Sequence, residues 1–308
     1  MTAPTLIEAR DTFACFGSHC TVIVADANAD EAAHAVALAR RRLLEWHHQF
    51  SRFEPDSELS RLNADPRPTV PVSAMMRRIV AQAIAAARAT GGLVDPTLAG
   101  EIERAGYATH FERSGLELER ALALAPPRAP ARPREPAGWR DVSSDRRAGS
   151  VTRPPSLGLD LGGIAKGVFA DELAGSLQPF AAFVVDCAGD LRLGGSASAS
   201  REVHVANPFE GDALHTFELA AGGVATSGIG KRSWLDAGGR PAHHLLDPAT
   251  GRPAFTGVVQ ATALAPTAAQ AEALSKAAIL SGPAAGAELL AAGGGGVLVL
   301  DDGSHRVL

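Results

Sequence analysis

The sequence predicts an α+β protein, on three observations. Helical periodicity is strongest towards the two ends of the chain, short strand-like segments crowd its middle, and strands and helices do not alternate as a parallel doubly wound sheet requires. In chain order, "CTVIVADAN" (20–28) is a β-branched run closed by a turn signal and reads as a strand. From Ala29 to Phe50 apolar and alanine positions recur at helical spacing, so strand then helix is the opening unit. "SAMMRRIVAQAIAAARATGG" (73–92) carries a serine start signal, an apolar stripe and a double-glycine stop, which predicts a second long helix. "PPRAPARPREP" (126–136) mixes proline with arginine and has no apolar period. It predicts an exposed, extended connection at about 126–138, within what otherwise reads as one domain over 1–308. "FVVDC", "EVHVAN", "HTFELA" and "VVQATALA" follow as short strands separated by Gly, Asn and Asp signals. Helices at about 268–280 and 284–292 and the strand "GVLVL" finish the chain, which contains no internal repeat.

With 308 residues, 46% of them apolar, the chain can bury a substantial core. A net charge of −5 offers no basic field for nucleic acid, and no lysine-rich run suggests a membrane surface, so small molecules or proteins are the expected partners. Three cysteines (Cys15, Cys20, Cys187) without CxxC spacing argue against a disulfide framework and fit a reducing compartment. Residues 1–16 contain acidic side chains and no apolar central run, so they do not read as a signal peptide. No apolar stretch nears the roughly 18 residues that cross a bilayer. The expected location is the cytoplasm.

"LDLGGIAKG" (Leu159 to Gly167) is the stretch that points to chemistry. It fits neither the phosphate loop GxxxxGK followed by Ser or Thr nor the dinucleotide pattern GxGxxG. Its physical logic survives the mismatch: glycines let backbone amides approach an anion, a helix N-terminus adds partial positive charge and Lys166 a full one. A glycine turn packed against a sheet, with the lysine exposed, explains the same residues. Elsewhere, "HHLLDPATG" holds either a proton acceptor or two ordinary histidines beside an Asp247 turn. "VATSG" offers hydroxyls or an ST-turn, and "PDSELS" reads locally as a helix N-cap with a capping box.

Taken in order, "FSRFEPDSELSRLNA", "GGLVDPT", "LDLGGIAKGVFAD", "VATSG" and "HHLLDPATGRP" resemble the ApbE family of FAD:protein FMN transferases. The resemblance runs from "FGSHCTVIV" near the start to "AEALSKAAILSG" near the end. It implies an ApbE-like (T-fold-like) α+β fold of mixed sheets with packed helices, and an FAD site in a cleft between lobes. It also implies transfer of FMN from FAD to a threonine hydroxyl of an acceptor protein, with release of AMP, usually with Mg²⁺. By position, Gly162, Gly163 and Lys166 would hold the diphosphate and Asp160 would orient the loop. The Ala165 carbonyl would meet the metal, and His244 would be the base. Phe53 stands where the family has an aromatic beside the isoalloxazine, with Asp56, Ser57 and Asn63 in the same segment. Gly17, Asp95, Thr97, Asp190, Thr226, Ser227, Gly228 and Asp247 complete the implied binding set.

One segment departs from that pattern in a chemically decisive way. Where the family places an Asp and a Thr that complete the metal site, this chain reads "AEALSK", with Glu272 and Lys276. Glutamate can ligate Mg²⁺, but a charged lysine has only donors and cannot. Two outcomes are open: Lys276 takes the metal's place, held by Glu272, or it turns to solvent and leaves a weakened Mg²⁺ site. A plain i,i+4 ion pair on an exposed face explains the spacing equally well. The family's Gly-Gly-Asp turn is here "AGD" (188–190), its Met-Gly-Thr is "FGS", and Ile229 follows Thr-Ser-Gly in place of an acid. These departures imply that FAD binding is better preserved than metal-dependent turnover.

Overall fold

The computed structural model describes residues 6–109, 115–197 and 199–308, so the first five residues of the 1–16 segment lie outside the described residues. Among these, eight strands form one antiparallel sheet whose spatial order follows the chain. They are β1 (Ile7–Cys15), β2 (Ser18–Asp26), β3 (Ala182–Cys187), β4 (Asp190–Gly194), β5 (Gly222–Gly228), β6 (Val258–Ala265), β7 (Gly296–Leu300) and β8 (His305–Val307). The helices are α1 (Ala29–Phe50), α2 (Glu58–Ala64), α3 (Ala74–Ala89), α4 (Ala99–Arg104), α5 (Leu118–Leu124), α6 (Ala165–Leu177), α7 (Ala268–Ser281) and α8 (Pro283–Gly293). Alternation along the strands sorts side chains onto two faces. Phe13, Val22, Val24, Phe183 and Val185 turn to the layer of α1, α3 and α6. Val184, Leu193 and Val224 turn the other way, under Val203 and Leu219 of a hairpin formed by 201–205 and 215–219.

The long helices start where the sequence provides caps. Asn28 accepts from the amides of Asp30 and Glu31, Ser73 from Met76 and Thr267 from Gln270, each satisfying amides that a helix start leaves free. Buried Ala32, Val36, Ala39 and Leu43 give α1 the single stripe its periodicity predicts. The α6–α7 contact is closer than ordinary side chains permit. A Cβ on Gly167 would lie 2.7 Å from the backbone of Ala268. The two helices also cap each other: Asp171 on α6 accepts from the amides of Ala268 and Ala269 at 2.9 and 3.0 Å, and Glu272 on α7 accepts from the Gly167 amide at 2.8 Å. Each carboxylate therefore sits on the positive end of the other's helix.

Several elements go beyond the sequence expectation: β1, β4, β5 and the short strands 69–71, 143–145 and 150–152 that form a small three-stranded sheet. The proline–arginine connection is extended and mostly exposed, but it is tied down. The Ala129 amide bonds to Phe255 O at 3.0 Å, Ala131 to Leu280 O at 2.8 Å and Arg132 to Asp247 Oδ1 at 2.8 Å, with Ala131 buried. Among the described residues no helix is long and apolar enough to cross a membrane. All three cysteines are buried and free.

Candidate active site

The glycine loop is fixed before it can bind anything. Asn63 exchanges two 2.8 Å hydrogen bonds with the Leu159 backbone, and Leu159 and Leu161 bury their side chains in the core. Asp160 donates its amide to Pro96 O and accepts from the Gly162 amide, both at 2.8 Å, which bends the chain through the two glycines into α6. Beyond the loop opens a cavity of about 1260 Å³. It exceeds the roughly 300–1,000 Å³ of a drug-sized site.

Buried charges lie at the first turn of α6. Lys166 bonds Asp190 on β4 and lies 3.5 Å from Glu272 Oε1, which also accepts from Lys276 Nζ at 3.0 Å. Glu272 is fully buried, and Asp190 and Lys276 are nearly so. Burial alone would raise the Glu272 carboxyl, but the Lys276 and Lys166 ammoniums outweigh it and hold the group ionised. Asp190 goes the other way: burial and the charge of Glu272 push it well above the usual carboxylate range, against the pull of the lysines. Its Oδ1 is buried without a hydrogen-bond partner among the described residues.

His244 borders the same cavity. Burial, with Arg232, His243, Lys276 and Lys166 nearby, holds its imidazole neutral far below the usual pKa, and its Nδ1 has no partner among the described residues. A neutral ring can accept a proton. The adjacent His243 faces the interior, stacked edge-on against Phe255 at 4.8 Å with its Nδ1 accepting from the Leu245 amide.

The structure divides the residues expected from the sequence into two groups. Gly17, Phe53, Asp95, Asp160, Gly162, Gly163, Ala165, Lys166, Thr226, Ser227, Gly228, His244 and Lys276 border the cavity. Ser57, Asn63, Thr97, Asp190, Asp247 and Glu272 stand behind it. Ser57 caps α2, Thr97 donates to Asp95 Oδ1 and Asp247 gathers the Arg132 and Ala249 amides with the Thr250 hydroxyl. Hydroxyls in the β5 segment are engaged, Thr226 with Thr262 and Ser227 with Ser275, each at 2.8 Å.

Sequence reasoning did not single out three other residues at the cavity. Arg52 lies 4.2 Å over the Phe53 ring and 4.8 Å over Tyr107, with its Nε 3.3 Å from Asp160 Oδ2. Arg232 donates to Phe16 O at 3.0 Å across the mouth of the β1–β2 turn. Tyr107 is the chain's only tyrosine. "SRF" lies inside one quoted motif and "GKR" shortly follows another, so proximity to the motifs was the available signal for the two arginines. Nothing local marked Tyr107.

A mixed α+β fold with a large cavity, floored by a glycine loop and largely buried lysines, can enclose a sizeable organic anion, and that is the class its geometry defines. The sequence matches the ApbE family over residues 16–300, and the chain belongs to that family. It is 26% identical over 243 residues to the FAD:protein FMN transferase of Haemophilus influenzae, covering 74% of this chain and 66% of that one. It is also 26% identical over 290 residues to the enzyme of the same name from Rhodobacter capsulatus, covering 92% and 53%. The match thus spans between about half and two thirds of these relatives. The ApbE protein of Thermotoga maritima superposes with a TM-score of 0.79 at 26% identity, covering 98% of this chain and 97% of that one. The flavinyl transferase ApbE of Pseudomonas stutzeri gives 0.76 at 23%, covering 100% and 96%, a likeness of fold.

Proposed function

We propose that the chain binds FAD in this cavity and transfers FMN to a threonine hydroxyl of an acceptor protein, releasing AMP. The observation that carries the reading is convergence: Gly162, Gly163 and Lys166 of the glycine loop and a neutral His244, far from them in sequence, border one cavity in a member of the ApbE family. In this reading the glycine loop and Lys166 hold the diphosphate, and the aromatic pair Phe53 and Tyr107 with Arg52 borders the flavin. His244 takes the proton of the attacking hydroxyl. A new bond forms from the threonine oxygen to the FMN phosphorus while the bond from that phosphorus to the bridging oxygen breaks, and AMP leaves with that oxygen. Such transfer needs positioning and charge neutralisation more than covalent help from the protein. The diphosphate would also offset Arg232, Lys276 and Lys166 around His244, making the imidazole more basic when substrate is present. The three free cysteines fit a reducing compartment, the cytoplasm.

A single-turnover reaction with FAD and a threonine-bearing acceptor peptide tests this. The expected products are AMP and flavinylated peptide in equal amounts. AMP without flavinylated peptide would replace the transferase reading by FAD hydrolysis, with water as acceptor. The specific observation behind that second reading is Lys276, which stands where the family resemblance expects a metal ligand.

A further inference from the structure

The donor set beside the glycine loop does not fit a divalent metal. Glu272 Oε1 is shared by Lys276 at 3.0 Å and Lys166 at 3.5 Å, and Oε2 takes the Gly167 amide at 2.8 Å. Magnesium demands near-ideal octahedral oxygen ligation at about 2.0–2.1 Å. Here an ion at Glu272 would displace those donors and face two ammoniums. Asp190 leaves one oxygen unpartnered, but its other oxygen is bonded to Lys166. Among the described residues no group of three or more His, Cys, Asp or Glu side chains could hold a metal ion.

We propose that the Lys276 ammonium, held by Glu272, is the built-in cation of the diphosphate site, and that the ligand binds there without metal. This deepens the FAD reading and rests on it for the identity of the ligand. Three features carry it. Lys276 is 8% exposed yet borders the cavity, so it neither swings into solvent nor hides in the core. Its stem runs along the glycine loop: a Cβ on Gly163 would lie 3.7 Å from Lys276 Cε. The pair is buried, where desolvation of two charges can exceed their mutual attraction, so it is not the solvated i,i+4 pair that the spacing alone allows. Lys231 and Arg232 border the cavity as well, as do Asp160 and Asp186. What an incoming diphosphate meets at the glycine loop without a metal is therefore the Lys276 ammonium itself, beside Gly163.

Equilibrium binding of FAD, and separately of ADP, to the purified full chain in EDTA and in millimolar Mg²⁺ tests the proposal. Thermal unfolding of each variant confirms that it is folded. Wild-type affinity is expected to agree within about twofold in the two buffers. Lys276→Met is expected to lose at least tenfold in EDTA, and Lys276→Arg, which keeps the charge, to retain metal-free binding. Tightening of wild type by tenfold or more with Mg²⁺ would overturn the proposal, as would a folded Lys276→Met that binds like wild type in EDTA. If ADP binds with this Lys276 dependence and FAD does not, the flavin reading fails and the built-in cation stands. Binding of neither ligand in either buffer would overturn both.

Discussion

Ala188 holds a backbone conformation that costs an L-residue energy. Its φ is +58°, in the left-handed region, at the turn between β3 and β4 that delivers Asp190 to Lys166. That strain is about 1–2 kcal/mol for a residue with a Cβ, partly offset by the flexibility glycine adds to the unfolded chain. Ala188→Gly should therefore stabilise the protein by roughly 0.5–1 kcal/mol, read as a higher denaturation midpoint; an unchanged or lower midpoint would contradict the strain argument. At His244 the argument is chemical. Replacing it with Asn should lower the rate of flavinylation by about 10²–10⁴-fold while FAD affinity changes far less. A parallel collapse of affinity would make it a binding residue and leave the base unassigned.

At the scale of elements, α6 and α7 depend on the absence of one methyl group. Gly to Ala in a helix interior ordinarily stabilises by about 1 kcal/mol, yet at Gly167 the new Cβ would meet Ala268 and Ala269 backbone at 2.7 Å. Gly167→Ala should instead destabilise by roughly 1–3 kcal/mol, and pushing α6 away from α7 should disturb the Glu272 clamp, measurable as weaker FAD binding. How far the sequence revealed these elements follows from which signals are local. Helices α1 and α3 carry their own caps and apolar stripes, α7 carries a Thr267 cap and an alanine-rich run, and β2, β3 and β6 are rich in β-branched residues, so they were readable. Strand β1, "IEARDTFAC", is an edge strand with charged outward positions, and its pairing with β2 is visible only once the turn at Phe16–Gly17 folds. The glycine loop and His244 could be read through their resemblance to a family pattern. The i,i+4 pairing of Lys276 with Glu272 could be read as one outcome, but the direction of Lys276 could not be settled, because the glycine loop at Gly163 meets its stem only in three dimensions. Arg52 and Tyr107 likewise meet across a gap in sequence that no local pattern spans.

For the molecule as a whole, the buried histidines set an acid limit on stability. Burial pushes His243 down to about 3 from an ordinary 6.5, so the unfolded chain takes up a proton that the folded one refuses. Its contribution is therefore complete above pH 6.5 and lost progressively as pH falls towards 3, about 2 kcal/mol of it by pH 5. His244, also held neutral by burial, acts in the same direction. Unfolding midpoints measured between pH 7.5 and 5 should fall steeply for wild type. The slope should be shallower for His243→Asn, which keeps a small polar group without a titrating ring; equal slopes would remove the assignment. The sheet adds a constraint of another kind. Although its strands lie in chain order, Ala25 on β2 pairs with Ala182 on β3, and everything between them must be looped out first. During synthesis β2 is made well before β3, so the apolar edge of β2 stays unpaired until the long segment between them has followed. An exposed strand edge of that kind invites pairing with other chains. The order of assembly thus leaves open in the nascent chain a strand edge that the finished sheet covers.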